Sequence, residues 1–112
     1  MKYIIPENKL DKIVFKYLDI YLKGLEKRKT NYYKGIILAY PNQDYGILGW
    51  ENDGFLYIYH EIINEISTNF GLNESDSELV IGRWVSDRYK LKVINTITSN
   101  RRSRRLLAID TN

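Results

Sequence analysis

Apolar residues recur at helical spacing near the start of the chain, which predicts a helix over residues 6–23. Pro6 suits the first turn of a helix, and Gly24 is typical of a left-handed C-cap. Residues 26–34 are polar and basic without a period, so we interpret them as a loop. The apolar series of the predicted helix is Leu10, Ile13, Val14, Tyr17, Leu18, Tyr21 and Leu22.

Three short runs rich in β-branched and aromatic residues follow, over residues 35–40, 45–50 and 55–59. The segments 41–44 and 51–54 between them carry turn residues, and the second ends in Asp53-Gly54, which is typical of a hairpin. The pattern therefore predicts a three-stranded antiparallel meander.

Helical periodicity returns over residues 59–70, where Gly71 is placed to cap the helix end. A third helix is predicted from Ser75, because Ser75 and Glu78 have the spacing of a capping box. Arg88 and Lys90 fall in its last turn, where cations interact favourably with the helix dipole.

β-branched residues over 92–99 predict one more strand, which could form a hairpin with Leu106–Ile109. We expect an α+β fold in which three helices pack on a small antiparallel sheet, made of the meander and this hairpin, in two layers. With 112 residues, 44% of them hydrophobic and 28% charged, the chain fits a single domain over residues 1–112.

The chain has no cysteine, which excludes a disulfide framework and a thiolate nucleophile. Its apolar runs are shorter than the ~18 residues of a membrane span, and its N-terminal apolar run is too short for a signal peptide. We therefore expect a cytoplasmic protein that does not insert into a membrane.

Catalytic and metal-binding motifs fail on spacing. His60-Glu61 resembles the start of a zinc-protease helix, but Asn64 stands where the second histidine is required. Gly46 and Gly49 have the spacing of a nucleic-acid-binding GxxG loop, yet their apolar and acidic neighbours favour a strand. The sequence predicts no catalytic residue, no metal site and no cofactor, and hence a protein that is not an enzyme.

Charge is segregated along the chain. Residues 1–34 carry nine basic and four acidic residues, residues 35–82 carry eight acidic and no basic residues, and residues 83–112 carry eight basic and two acidic residues. The net charge of +3 conceals this order. Whether the acidic middle meets the basic ends in the fold is left open by the sequence.

Four arginines near the C-terminus can each neutralise a phosphate, which makes nucleic-acid binding an alternative function. A solvated turn, or pairing with the acidic middle, explains the same cluster. These residues are Arg101, Arg102, Arg104 and Arg105.

Ten tyrosines supply amphipathic surfaces that can anchor a protein interface. Tyr17, Tyr21, Trp84 and Tyr89 fall on helical apolar series and are interpreted as packing residues. The interface candidates lie in or near predicted loops and are Tyr32, Tyr33, Tyr40 and Tyr45.

Four segments of the chain carry a resemblance: Met1–Glu7, Val14–Asp19, Glu74–Val85 and Lys92–Thr96. They resemble small proteins without an assigned activity that are encoded by tailed, marine-type bacteriophages and found in viral metagenomes. The resemblance covers most of the chain except the region around 26–45, and it implies a phage accessory role in the infected host without indicating functional residues. We therefore expect a non-enzymatic module that binds an unknown protein partner, with nucleic-acid binding or a minor virion component as alternatives and the oligomeric state open.

Overall fold

Three helices and five strands make up the part of the protein that the computed structural model describes, which is residues 7–30, 34–43 and 45–99. The three helices are α1 (Glu7–Tyr21), α2 (His60–Phe70) and α3 (Glu74–Tyr89). The strands are β1 (Glu26–Lys29), β2 (Gly35–Ala39), β3 (Leu48–Glu51), β4 (Phe55–Tyr59) and β5 (Asn95–Ser99). The predicted α+β class and the three helices are confirmed.

The strands form one mixed sheet in the order β1-β2-β3-β4-β5. The first four are antiparallel neighbours, with Leu38 opposite Leu48 and Leu48 opposite Ile58. β5 runs parallel to β4, and its register places Tyr57 opposite Ile97. The predicted meander is thus confirmed as β2, β3 and β4.

The prediction of a loop over 26–34 was wrong for its first part, because Glu26–Lys29 forms the strand β1. This strand has the sequence EKRK, and three of its four residues are exposed. Charged residues suit the edge of a sheet, where they discourage pairing with other chains. The strand lacks the apolar alternation by which strands are recognised in a sequence.

The expectation of a purely antiparallel sheet was also wrong. β5 joins the meander itself, and α2 and α3 form the crossover that parallel neighbours require. Antiparallel pairing needs only a short turn, so the sequence pattern around 92–99 favoured a hairpin. The predicted second strand of that hairpin, Leu106–Ile109, lies outside the described residues.

The helices pack against one face of the sheet. Alternate strand residues Leu38, Leu56 and Ile58 join the helical residues in one buried cluster. Ile37 and Ala39 belong to the opposite face and form a separate buried pair. The helical members of the main cluster include Val14, Leu18, Ile62, Ile66, Val80, Ile81 and Trp84.

Side-chain and backbone caps set the ends of α2 and α3. α2 ends at Gly71 in the left-handed conformation (φ 63°), as predicted. α3 begins earlier than predicted, because the Asn73 side-chain oxygen accepts a hydrogen bond from the Asp76 backbone N–H at 2.7 Å. The proposed cap at Ser75 was therefore wrong, since asparagine is as good an N-cap and precedes it by two residues.

Candidate functional site

The outer face of α1 combines exposed isoleucines with lysines. Ile13 is 51% exposed and Ile20 is 79% exposed, which is high for large apolar side chains. An α-helix turns by about 100° per residue, so these two isoleucines and three exposed lysines fall within about a third of its circumference. We call this surface the α1 stripe; its residues are Lys9, Lys12, Ile13, Lys16 and Ile20.

Two acidic residues of α1 face α3 and are neutralised there. Asp11 accepts hydrogen bonds from Arg83 Nε at 2.7 Å and from Nη2 at 2.9 Å. Asp19 accepts from Arg88 Nε at 2.8 Å and from Nη2 at 2.9 Å. Such bidentate pairs fix geometry as well as charge. Asp11 and Asp19 are therefore engaged by arginines of α3, while Lys12 and Lys16 lie exposed on the α1 stripe.

The Asp19 carboxylate is a contact point between α1 and α3, where it accepts hydrogen bonds from two side chains. The hydrogen bond from Arg88 lowers the pKa of the Asp19 carboxyl, and the indole N–H of Trp84, 2.9 Å from Oδ1, adds to this effect against the opposing effect of burial. The same pairing raises the pKa of Arg88 above its ordinary value. Asp19 therefore stays ionised and joins α1 to α3 at physiological pH.

A groove of about 420 Å³ runs between α1 and the end of α3. The Arg88 guanidinium lies 5.2 Å from the centroid of the Phe15 ring, which is within cation–π range. Phe15 and Ile13 supply the apolar part of the groove lining, which we call its floor, beside charged groups. We call it the α1–α3 groove; its lining residues are Lys12, Ile13, Phe15, Lys16, Asp87 and Arg88.

The excess positive charge of this groove comes from its lysines. Arg88 pairs with Asp19 and also with Asp87, so this group of one guanidinium and two carboxylates carries a net charge of −1. Lys12 and Lys16 take no part in these pairs and are exposed on the rim one helical turn apart. Lys12 and Lys16 (+2) together with the Arg88 group (−1) give the groove a net charge of +1 beside its apolar surface.

A second groove of about 530 Å³ lies between α3 and the segment leading into β5. Leu79 and Ile94 on its rim are 51% and 61% exposed. Its charged lining is mixed, because Arg83 and Lys90 stand beside Asp87, and its Ser86 Oγ already accepts a hydrogen bond from the Val93 backbone N–H. This groove therefore does not favour either an acidic or a basic ligand.

The carboxylates of the acidic middle act as hydrogen-bond acceptors for hydroxyl groups. Glu65 accepts from Tyr17, and that bond is the main cause that raises the pKa of Tyr17 to about 12. Glu51 accepts from Tyr57 at 2.5 Å, and burial followed by this bond raises the pKa of Tyr57 to about 12. These arrangements stabilise the fold and leave the phenols protonated.

His60 stands at the first position of α2, with its ring edge against Tyr59 at a centroid distance of 4.8 Å. Its Nδ1 atom is buried without a hydrogen-bond partner. Within residues 7–30, 34–43 and 45–99, no group of three or more histidine, cysteine, aspartate or glutamate side chains could hold a metal ion.

The predicted tyrosine interface is only partly within the described residues. Tyr40 is half-buried and its hydroxyl donates to the backbone oxygen of Tyr21 at 3.1 Å, so it ties the start of the β2–β3 connection to α1. Tyr45 is also half-buried. Tyr32 and Tyr33 lie outside the described residues, and so does the arginine cluster made of Arg101, Arg102, Arg104 and Arg105.

The α1 stripe escaped the sequence analysis because Ile13 was assigned to the apolar core series. The structure corrects this assignment, since Ile13 is half exposed while its neighbour Val14 is fully buried. A signal did exist: Ile20 lies off the apolar series and repeats Ile13 after seven residues, which is two helical turns. Tyr17 and Trp84 are packing residues as predicted, whereas Tyr21 stacks on Tyr17 but is 38% exposed.

Comparison of the chain with protein-family profiles, with curated proteins and with solved structures gives no match. Among the helices of the described part, none is long and apolar enough to cross a membrane.

Proposed function

We propose that this protein is a small, non-enzymatic protein-binding module, encoded by a tailed phage and acting in the cytoplasm of the infected host. The α1 stripe and the α1–α3 groove are its binding surface. The observation that carries the proposal is the exposure of Ile13 and Ile20 on one helix face beside a groove with an apolar floor.

Burial of apolar surface supports a protein partner. Removing such surface from water contributes roughly 25 cal/mol per Å², so two largely exposed isoleucines can add several kcal/mol to an interface. Residues of a contiguous patch with a polar rim are typical of interaction sites, in contrast to single exposed apolar residues. Ile13 and Phe15 both line the α1–α3 groove, next to Lys12 and Lys16.

Nucleic acid fits this surface less well than protein does. Lysines can contact phosphates, but the phosphate backbone gains nothing from Ile13 or Ile20. The alternative function through the arginines of 101–105 concerns a segment outside the described residues, and binding through it would leave the α1 stripe unused.

Site-directed photocrosslinking in host cells tests the proposal. A photoreactive amino acid in place of Ile20 should give a discrete protein adduct, because the partner covers this position. The same amino acid in place of Thr68, an exposed residue of α2, is the matched control and should not give that adduct.

The additional substitution Ile13→Ala should weaken the adduct formed at position 20 while the circular dichroism spectrum stays unchanged, because Ile13 is largely exposed. No adduct at position 20, or the same adducts from positions 20 and 68, would refute a binding role for this surface.

A further inference from the structure

We infer that the occupant of the α1–α3 groove is an acidic amphipathic helix of the partner protein, an inference that rests on the proposed function. Its carboxylates pair with Lys12 and Lys16, and one of its apolar side chains enters the groove against Ile13 and Phe15. This assignment goes further than protein binding because it states the chemistry of the partner.

Charge complementarity predicts the sign of the charge on the partner's contacting segment. Asp11 and Asp19, which could have balanced the lysines of α1, are occupied by Arg83 and Arg88. Lys12 and Lys16 lie on the rim of the groove rather than on a distant surface. Like charges brought against them would be repelled, so specificity for an acidic segment follows from the same side chains.

The spacing of the side chains along α1 predicts the secondary structure of the partner's contacting segment. Lys12 and Lys16 are one helical turn apart, and Ile13 and Ile20 are two turns apart along the same face. A second helix packed along α1 presents carboxylates and apolar side chains at the same intervals, as in helix-in-groove recognition. An extended peptide alternates its side chains with a period of two and matches this pattern poorly.

The shape of the surface favours a protein over an anionic membrane. A helix that lies on a membrane inserts a broad, convex apolar face between lipids. Here Phe15 and part of Ile13 line a concave groove against α3, where an apolar side chain fits and a lipid surface does not. Ile20 alone projects freely, at 79% exposure.

Asp87 supplies an internal check, because it is the acidic residue among those that line the groove. Its side chain is 52% exposed and pairs with Arg88. An acidic partner is repelled by Asp87, whereas a basic partner is attracted to it. The substitution Asp87→Asn should therefore strengthen the binding of an acidic helix, and it would weaken the binding of a basic one.

The test uses three synthetic helical peptides of about 15 residues, long enough for four turns. The first has leucine at spacings of three and four with glutamate between; the second replaces every glutamate with lysine; the third replaces every leucine with alanine. Fluorescence anisotropy should show that the full-length protein binds the first at least about tenfold more tightly than the others.

Protein variants locate the site. Lys12→Glu combined with Lys16→Glu should weaken binding of the first peptide by about tenfold or more, and Asp87→Asn should tighten it about two- to threefold. Lys34→Glu combined with Lys92→Glu makes the same charge change at exposed lysines that do not line the groove, and binding should change by less than about twofold.

Equal affinity for the three peptides would overturn the inference. So would a loss of affinity for the first peptide in the control variant that is as large as the loss in the variant changed at Lys12 and Lys16. Tighter binding to phosphatidylglycerol vesicles or to duplex DNA than to the acidic peptide would also overturn it, in favour of a membrane or a nucleic acid. If crosslinking at position 20 captures a protein whose contacting segment is basic or neutral, this inference fails while the proposed function stands. If no adduct forms, the proposed function fails first.

Discussion

At the scale of single residues, tight packing around the backbone determines whether a position can accept a side chain. Gly46 is buried in the turn that enters β3, and a Cβ atom placed on it would lie 2.1 Å from Ile37 Cγ2 and 2.9 Å from the Leu38 backbone oxygen. The first neighbour is a buried side chain and the second is backbone in β2, so neither can move away freely.

Gly46→Ala should therefore destabilise the protein by about 3 kcal/mol, the upper range for overpacking a core. Gly71→Ala is the matched control: Gly71 has φ 63° but no atom within 4 Å of the added methyl group, so only backbone strain of about 1 kcal/mol is expected. Urea unfolding followed by circular dichroism measures both. Equal destabilisation by the two changes would contradict this account of Gly46.

The Tyr17 side chain contacts several groups, and its hydroxyl donates to one carboxylate. It bonds to Glu65 of α2 and stacks edge-on against Phe70 at 5.4 Å, so it joins α1 to α2. Its pKa of about 12 exceeds the value of about 10 in an unfolded chain. This contribution to stability is complete below pH ~10 and is lost as the pH rises toward 12.

Glu65→Gln should lower the pKa of Tyr17 toward about 10, because the hydrogen bond to Glu65 is the largest cause of the shift. Glu51→Gln is the comparison: burial is the largest cause at Tyr57, so that phenol should keep most of its raised pKa. NMR titration of the tyrosine ring carbons measures each phenol separately. A Tyr17 pKa unchanged by Glu65→Gln would refute the proposed cause.

At the scale of elements, α1 has an inner face that packs in the core and an outer face that is exposed. Val14 and Leu18 on the inner face are fully buried, and Ile13 and Ile20 on the outer face are exposed. Because the inner face and the two arginine pairs hold the helix in place, substitutions on the outer face can change binding without unfolding the domain. This separation is what makes the variants of the α1 stripe informative.

The start of α3 gives a test of how caps are assigned. Asn73→Ala removes the acceptor for the Asp76 backbone N–H and should cost about 1 kcal/mol in free energy of unfolding. Ser75→Ala changes an exposed residue of the first turn and should stay within about 0.5 kcal/mol of the wild type. Thermal or urea unfolding of the two variants measures this difference; a larger loss at Ser75 would restore the capping box predicted from the sequence.

Elements with a strong period were predictable from the sequence, and elements fixed by long-range contacts were not. Helices α2 and α3 were located to within one residue, because Ile62, Ile63 and Ile66 of α2 recur at helical spacing and so do Ile81, Trp84 and Val85 of α3. β1 carries no such repeat; it is a strand because β2 offers it hydrogen bonds, with Glu26 opposite Ala39. The direction of β5 depends on the crossover through two helices, which local pattern does not encode.

In the candidate site too, the features set by local sequence were predictable and those set by long-range contacts were not. That α1 carries lysines off its apolar series was visible in the sequence. The groove was not, because it requires α3 to bring Asp87 and Arg88 beside Phe15, more than seventy residues away in sequence. The exposure of Ile13 also depends on which side of the apolar series meets the core.

At the scale of the whole molecule, the order of charge along the chain takes on a specific structural meaning. The described ion pairs Asp11–Arg83 and Asp19–Arg88 connect the two chain segments with net positive charge to each other. Two acids of the N-terminal segment thus join α1 to α3, together with the buried apolar residues of both helices. Lys12 and Lys16 of α1 lie on the outer surface, where they can contact a partner.

The parallel pairing of β5 with β4 also has a consequence for the nascent chain. A ribosome releases β4, with the sequence FLYIY, well before Asn95–Ser99 emerges, because α2 and α3 lie between them. During that interval the edge of β4 that will receive β5 is an unpaired strand edge rich in aromatic residues, which is a template for aggregation. Early formation of α2 and α3 would shorten the delay, so mutations that slow these helices should reduce the yield of soluble protein more than their effect on equilibrium stability implies.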